Sequence, residues 1–288
     1  MCIRDRSIIG LMARDGSIDF RGKRFTQSQV EPLKAWLDRL QKFGADGPAR
    51  ESRTWGLSDE QFKKVLLLLA DPVTEPIDWR SPIRSIRSMK LPHEFRITYS
   101  EEVRPRLLKK PTQIGDAYPN VEGISKGTAL AIVLAQYGMG FRPLSPSADK
   151  QLHLEIDNGS EATNLYPVGW KNSSPLPIAL PALTKRVAVD VQDLPVENVV
   201  RQVADHLKID ALNSSFELRQ AGRDPSIIKY TRRPDRISPI ALMRVIGNTQ
   251  KLGLVIRTDE VGRLFLWVTT KEEADAFSQR FRHITPGR

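Results

Sequence analysis

Ile237 to Thr270 reads ISPIALMRVIGNTQKLGLVIRTDEVGRLFLWVTT. Ser238 is a helix-capping residue type and Pro239 suits the first turn behind it. Ile240, Met243 and Ile246 then recur at helical spacing. Gly253 falls just past the expected helix end. Leu254–Arg257 and Leu264–Val268 are short, mostly apolar runs. They flank Asp259-Glu-Val-Gly262, a hairpin turn. The stretch predicts one helix followed by a two-stranded hairpin.

An earlier stretch, Ile124–Glu155, matches it without a gap at a constant spacing of 113 residues, that between Ile124 and Ile237. Ser125 aligns with Ser238, Leu130 with Met243, Val133 with Ile246 and Gly140 with Gly253. Phe141 aligns with Leu254, Lys150 with Arg263, Leu152 with Phe265 and Leu154 with Trp267. Further upstream Pro82, Ile83 and Ile86 align with Pro195, Val196 and Val199 at the same spacing. These are caps, core stripes, helix ends and hairpin cores, the positions a duplicated fold constrains.

Each copy reads as strand, helix, strands, helix, hairpin. The expected fold class is α+β: two tandem mixed-sheet units with helices on one face of each sheet, behind a short helical segment. The expected boundaries are a helical segment over 7–74, a first unit over 75–156, a Pro-rich connector over 157–185, a second unit over 186–270 and a tail over 271–288. Within the first segment, Gln29–Phe43 and a helix capped by Ser58 carry apolar stripes. Gly44–Arg53 reads as a linker. In the units, strands are expected at Ile77–Trp79, Phe95–Tyr99, Phe141–Leu144, Gln151–Ile156, Val187–Val191, Ser215–Leu218 and Ile227–Tyr230. Val196, Val199, Val200, Val203, Ala204 and Leu207 mark the clearest amphipathic helix. On this layout one face of each sheet and its edges stay open to a partner. Trp267 is expected in the core.

Val187-Ala-Val-Asp-Val-Gln-Asp-Leu-Pro-Val-Glu-Asn-Val-Val-Arg-Gln-Val-Ala204 resembles the short N-terminal domain shared by secretins and TonB-dependent receptors. Leu242 through Gly253-Leu254, then Gly262, Phe265 and Trp267, resemble the ending of that domain. The likeness is fuller over Val187–Thr270 than over Ile77–Ile156. Trp55-Gly-Leu-Ser58 and Val261–Thr269 are also similar to stretches of signal-peptide-bearing envelope proteins of planctomycete-type bacteria. The resemblance implies a periplasmic or envelope-associated interaction module with no catalytic residues and a protein partner.

The chain has 288 residues and a formal net charge of +10. Such a balance favours anionic partners. Lys and Arg are dense over Arg80–Lys110 and Arg219–Arg236. Arg80, Arg84 and Arg87 are expected to share a helix face, and Arg232, Arg233 and Arg236 a loop. Tyr99 and Tyr230 stand near them as stacking platforms. These residues define the alternative reading, a nucleic acid- or acidic glycan-binding protein.

Nothing points to a cofactor, a metal or an enzyme. His93, His153, His206 and His283 lack metal-ligand spacing, and no phosphate loop or nucleophile elbow is present. Cys2 is the single cysteine, which leaves no disulfide within the chain. No run approaches the length of a membrane helix. Met1–Arg6 resembles translated adapter sequence, an artefact at the head of metagenomic reading frames. On that reading the expected location is periplasmic or envelope-associated, with a signal peptide lost upstream, and a cytoplasmic location is the alternative.

Overall fold

The computed structural model describes residues 11–13, 15–20, 23–43, 54–110, 118–145, 151–159 and 164–280. Met1–Arg6, the expected linker 44–53 and His283 lie outside them. Three short strands come first: β1 (Leu11–Met12), β2 (Ile18–Phe20) and β3 (Lys23–Phe25), a small antiparallel sheet in that order. The expected helical segment over 7–74 thus contains strand as well as helix. A capping box at Thr26 leads into α1 (Val30–Phe43). Another, at Ser58, opens α2 (Asp59–Leu69): Ser58 accepts from the Gln61 amide, and the Gln61 side chain accepts from the Ser58 amide.

The first unit follows as α3 (Pro82–Ser88), β4 (Phe95–Tyr99), α4 (Lys126–Ala135), β5 (Met139–Leu144) and β6 (Leu152–Asn158). Its sheet has the order β4-β6-β5, with β4 parallel and β5 antiparallel to β6. A short helix, α5 (Leu176–Ala179), lies in the connector. The second unit is β7 (Val187–Pro195), α6 (Val196–Leu207), β8 (Asp210–Asn213), α7 (Ser215–Gln220), β9 (Lys229–Ile237), α8 (Pro239–Gln250), β10 (Leu252–Thr258) and β11 (Leu264–Thr270). Its sheet has the order β8-β11-β10 with the same two orientations. The chain is therefore an α+β protein built from two copies of one sheet topology. A last helix, α9 (Lys271–Arg280), closes the described residues.

Several expectations are corrected. Ile77–Trp79 is not a strand; it folds onto α3, where the Ser85 hydroxyl donates to the Asp78 carbonyl at 2.9 Å. Ser215–Leu218 lies in α7, not in a strand, since Glu217-Leu-Arg-Gln220 are helix-forming types; the strand is Asp210–Asn213 just before it. Gly140 and Gly253 do not end helices. Both sit one residue inside a strand where another segment passes closely. A Cβ on Gly140 would lie 2.6 Å from Leu165, and one on Gly253 2.6 Å from Ala274.

The hairpins also differ in register. Phe141 pairs with Ile156, whereas Leu254 pairs with Val268, one residue short of the gapless match. Leu154 thus corresponds to Leu266, not Trp267. A one-residue slip reverses the face. Trp267 is buried as expected, but it points away from the helices of its own unit and joins the core of the first.

That core explains the assembly. Leu212, Phe265 and Trp267 of the second unit and Phe277 of α9 cluster with α2, α3, α4 and the inner face of the first sheet. Gly127–Leu134 is buried at every position, because α4 is covered on all sides. The second sheet therefore has helices on both faces, not one. The second core lies between its other face and α6 and α8. Helix α2 belongs to this core too: Val65 and Leu69 are fully buried in it. The connector is core as well. Tyr166 stacks on Trp55 and Phe141, and Trp170 exchanges backbone hydrogen bonds with Thr258 at 2.6 and 2.9 Å.

Candidate functional site

The six arginines divide into two sets. Arg80 precedes α3, because Ser81 is its N-cap, so only Arg84 and Arg87 ride on the helix. Arg80 holds Asp78 through Nε at 2.8 Å and Nη2 at 2.6 Å, and Arg84 approaches the same carboxylate at 3.8 Å. The hydrogen bond from Arg80 is the main reason the Asp78 carboxyl drops to about 2. Arg232, Arg233 and Arg236 lie not in a loop but in β9, paired with β7 across register shifts. Arg232 bonds Asp235 at 2.8 Å. Each set thus carries its own counter-carboxylate. Tyr230 is buried and offers no stacking face, and Tyr99 is half-buried.

The sheet edges differ in what they offer. In β9 the edge carries Pro234, exposed arginines and an irregular register, all of which discourage strand addition. Around β5, the Tyr166 amide donates to the Phe141 carbonyl at 2.6 Å. On β4 the Phe95 amide turns to Pro92 and the Ser100 amide to Ile156 in β6. Strand alternation then aims Arg96 and Thr98 at β6 and leaves the amides and carbonyls of Ile97 and Tyr99 pointing outward. Among the described residues no backbone hydrogen bond to them is seen from the outer side. Phe95-Arg-Ile-Thr-Tyr99 contains no proline, glycine or acidic residue.

The outward face of the first sheet is polar. Arg142 bridges Glu155 at 2.6 Å and Asp157 at 3.2 Å. This is a satisfied ion-pair surface, not an apolar face awaiting cover. Among the described residues no group of three or more His, Cys, Asp or Glu is placed to hold a metal ion. His153 lies in β6, and His93 and His206 are exposed.

The sequence did not disclose the junction between the units. The second hairpin turn inserts Asp259 and Glu260 at the N-terminus of α4. Glu260 Oε2 accepts from the Ser125 hydroxyl, from the Thr128 hydroxyl at 3.0 Å and from the Thr128 amide at 3.3 Å. Oε1 accepts from the Tyr166 hydroxyl and from the Trp170 indole at 3.2 Å. Asp259 accepts from the Ser125 amide at 3.1 Å. Anionic groups belong at a helix N-terminus. Burial pushes the Glu260 carboxyl up, against the pull of these donors. Burial, then Glu260 itself, raises the Tyr166 phenol well above its ordinary range. The arrangement joins two units; its groups are occupied with one another and leave no reactive side chain exposed.

Comparison with family models, with curated proteins and with solved structures finds no match. Among the described residues no helix is long and apolar enough to cross a membrane.

Proposed function

We propose that this protein is a non-enzymatic interaction module of the bacterial cell envelope, of the kind its resemblance to the secretin and TonB short N-terminal domains implies. It takes an extended segment of a protein partner as an added strand on β4. The observation that carries this reading is the outward set of backbone groups at Ile97 and Tyr99. Main-chain hydrogen bonds supply affinity in such pairing, and alternate side chains supply selectivity. A periplasmic location goes with this reading.

The test is Ile97→Pro. The Ile97 amide makes no bond within the sheet, so proline removes an outward donor while sparing the ladder. A photo-crosslinker at Thr98 first identifies the partner in envelope extracts. The Ile97→Pro chain is then expected to stay folded, with a melting temperature lowered by the loss of Ile97 packing on the first core, as an Ile97→Ala control is, and to lose that partner where the control keeps it. Unchanged binding by a folded Ile97→Pro chain defeats the proposal.

A further inference from the structure

Past the C-terminal half of α4, away from Glu260, lies a cavity of about 310 Å³. Ala131 and Ala135 form one wall, Tyr166 and Phe216 others, and Phe277 of α9 another. Two carboxylates line it, Glu217 and Glu273. Behind them stands Arg257, fully buried. Its Nη2 donates to both oxygens of Glu273 at 3.2 and 2.8 Å, and its Nη1 to the Val168 carbonyl at 2.9 Å. The guanidinium also covers the Phe277 ring, 3.7 Å from its centroid.

Of the two carboxylates, Arg257 gives its hydrogen bonds to Glu273 and reaches Glu217 through its charge alone. Glu217 accepts from the Thr269 hydroxyl at 3.0 Å and faces a second carboxylate across the cavity wall. Burial first, and the Glu273 charge second, push the Glu217 carboxyl above its ordinary value. Two carboxylates against one guanidinium leave the lining short of one positive charge. The remaining walls are small apolar residues and aromatic rings. A few convergent polar groups in a mostly apolar cleft of this size are the general form of a small-molecule site.

We infer that this cavity binds a small organic cation, an ammonium or guanidinium group carried on a flat apolar body, with Glu217 as its counter-ion. The volume holds on the order of ten heavy atoms, at ~30 Å³ each. Phe216 supplies an aromatic wall, of the kind that cations and rings favour. The site is separate from β4 and independent of strand pairing there.

Isothermal titration of the full chain at neutral pH tests it with three isosteres: phenethylammonium, 2-phenylethanol and 3-phenylpropanoate. The cation is expected to bind with a dissociation constant on the order of 1 mM or tighter, and the neutral and anionic probes at least about tenfold more weakly. Glu217→Gln keeps an acceptor for Thr269 and is expected to weaken the cation at least about tenfold while the melting temperature holds. Ala276→Trp, at the exposed mouth, is expected to abolish binding. Equal binding of the three probes, full binding by Glu217→Gln, or no heat from the cation at about 10 mM overturns the inference.

Discussion

Ser125 and Glu260, 135 residues apart, bond in both directions: the Ser125 hydroxyl donates to the Glu260 carboxylate, and the Glu260 amide donates to Ser125 Oγ at 3.3 Å. The N-terminus of one unit's central helix is thus satisfied by the other unit's hairpin turn. The same helix would otherwise end in buried, unmet amides. The two units thus share the first core, as Leu212, Phe265 and Trp267 within it also show.

Glu260→Ala should therefore unfold more than a turn. It strands the Ser125, Thr128, Tyr166 and Trp170 donors in a buried site, and each stranded group costs about 1–3 kcal/mol. A loss of ~3 kcal/mol or more is expected in urea denaturation, with both units melting in one transition. Glu260→Gln, which keeps one acceptor, should cost less. Two separate transitions in the wild-type chain would contradict the shared core.

Trp267→Ala tests the same coupling from the sheet side. Trp267 pairs with Val255 and Leu212 in its own sheet but packs into the first core. Its truncation should cost about 3–5 kcal/mol. Hydrogen exchange should rise in α4 as well as in β11. Exchange confined to the second unit would show that the ring belongs to the other face.

The duplication was legible because caps and hairpins recur at fixed spacing, and those are local signals. What covers each face was not. Leu130 and Val133 mark one side of α4, while Ala131 and Ile132 fill the other. The stretch from Gly127 to Phe141 holds no charged residue, which was the available sign of a helix buried all round. The register slip at Trp267 had no such sign, since one residue in a turn decides it. Glu260 looked like a turn residue, and its buried role depends on groups 90 to 135 positions away. The strand β9 was hidden because Arg232-Arg-Pro-Asp-Arg236 has the composition of a loop. Pairing with β7 overrides that composition.

Asp78 sets how much of the basic surface is available. It is ionised at any physiological pH, since its carboxyl sits at about 2. Asp78→Asn should release Arg80 and Arg84 together. Retention on a heparin column is expected to rise, with a steeper dependence on salt than the wild-type chain shows. Equal retention would mean that these arginines never face a polyanion.

The last prediction concerns pH. Glu217 and Glu260 both have folded-state carboxyls raised above the ordinary 4.5. A raised group holds its proton longer folded than unfolded, so folded chains bind more protons in that window. Its contribution is fully present below about pH 4.5 and is lost as pH rises through the folded value. The two carboxylates should therefore make the chain less stable as pH climbs above 4.5, opposite to the usual trend for paired acids. Subtracting the Glu217→Gln profile of urea midpoint against pH from that of the wild type isolates one of them. The difference should favour the wild type at acid pH and shrink or reverse toward neutrality. Parallel profiles would show that Glu217 titrates alike in both states, and the charge shortage in the cavity beside it would then have no thermodynamic signature.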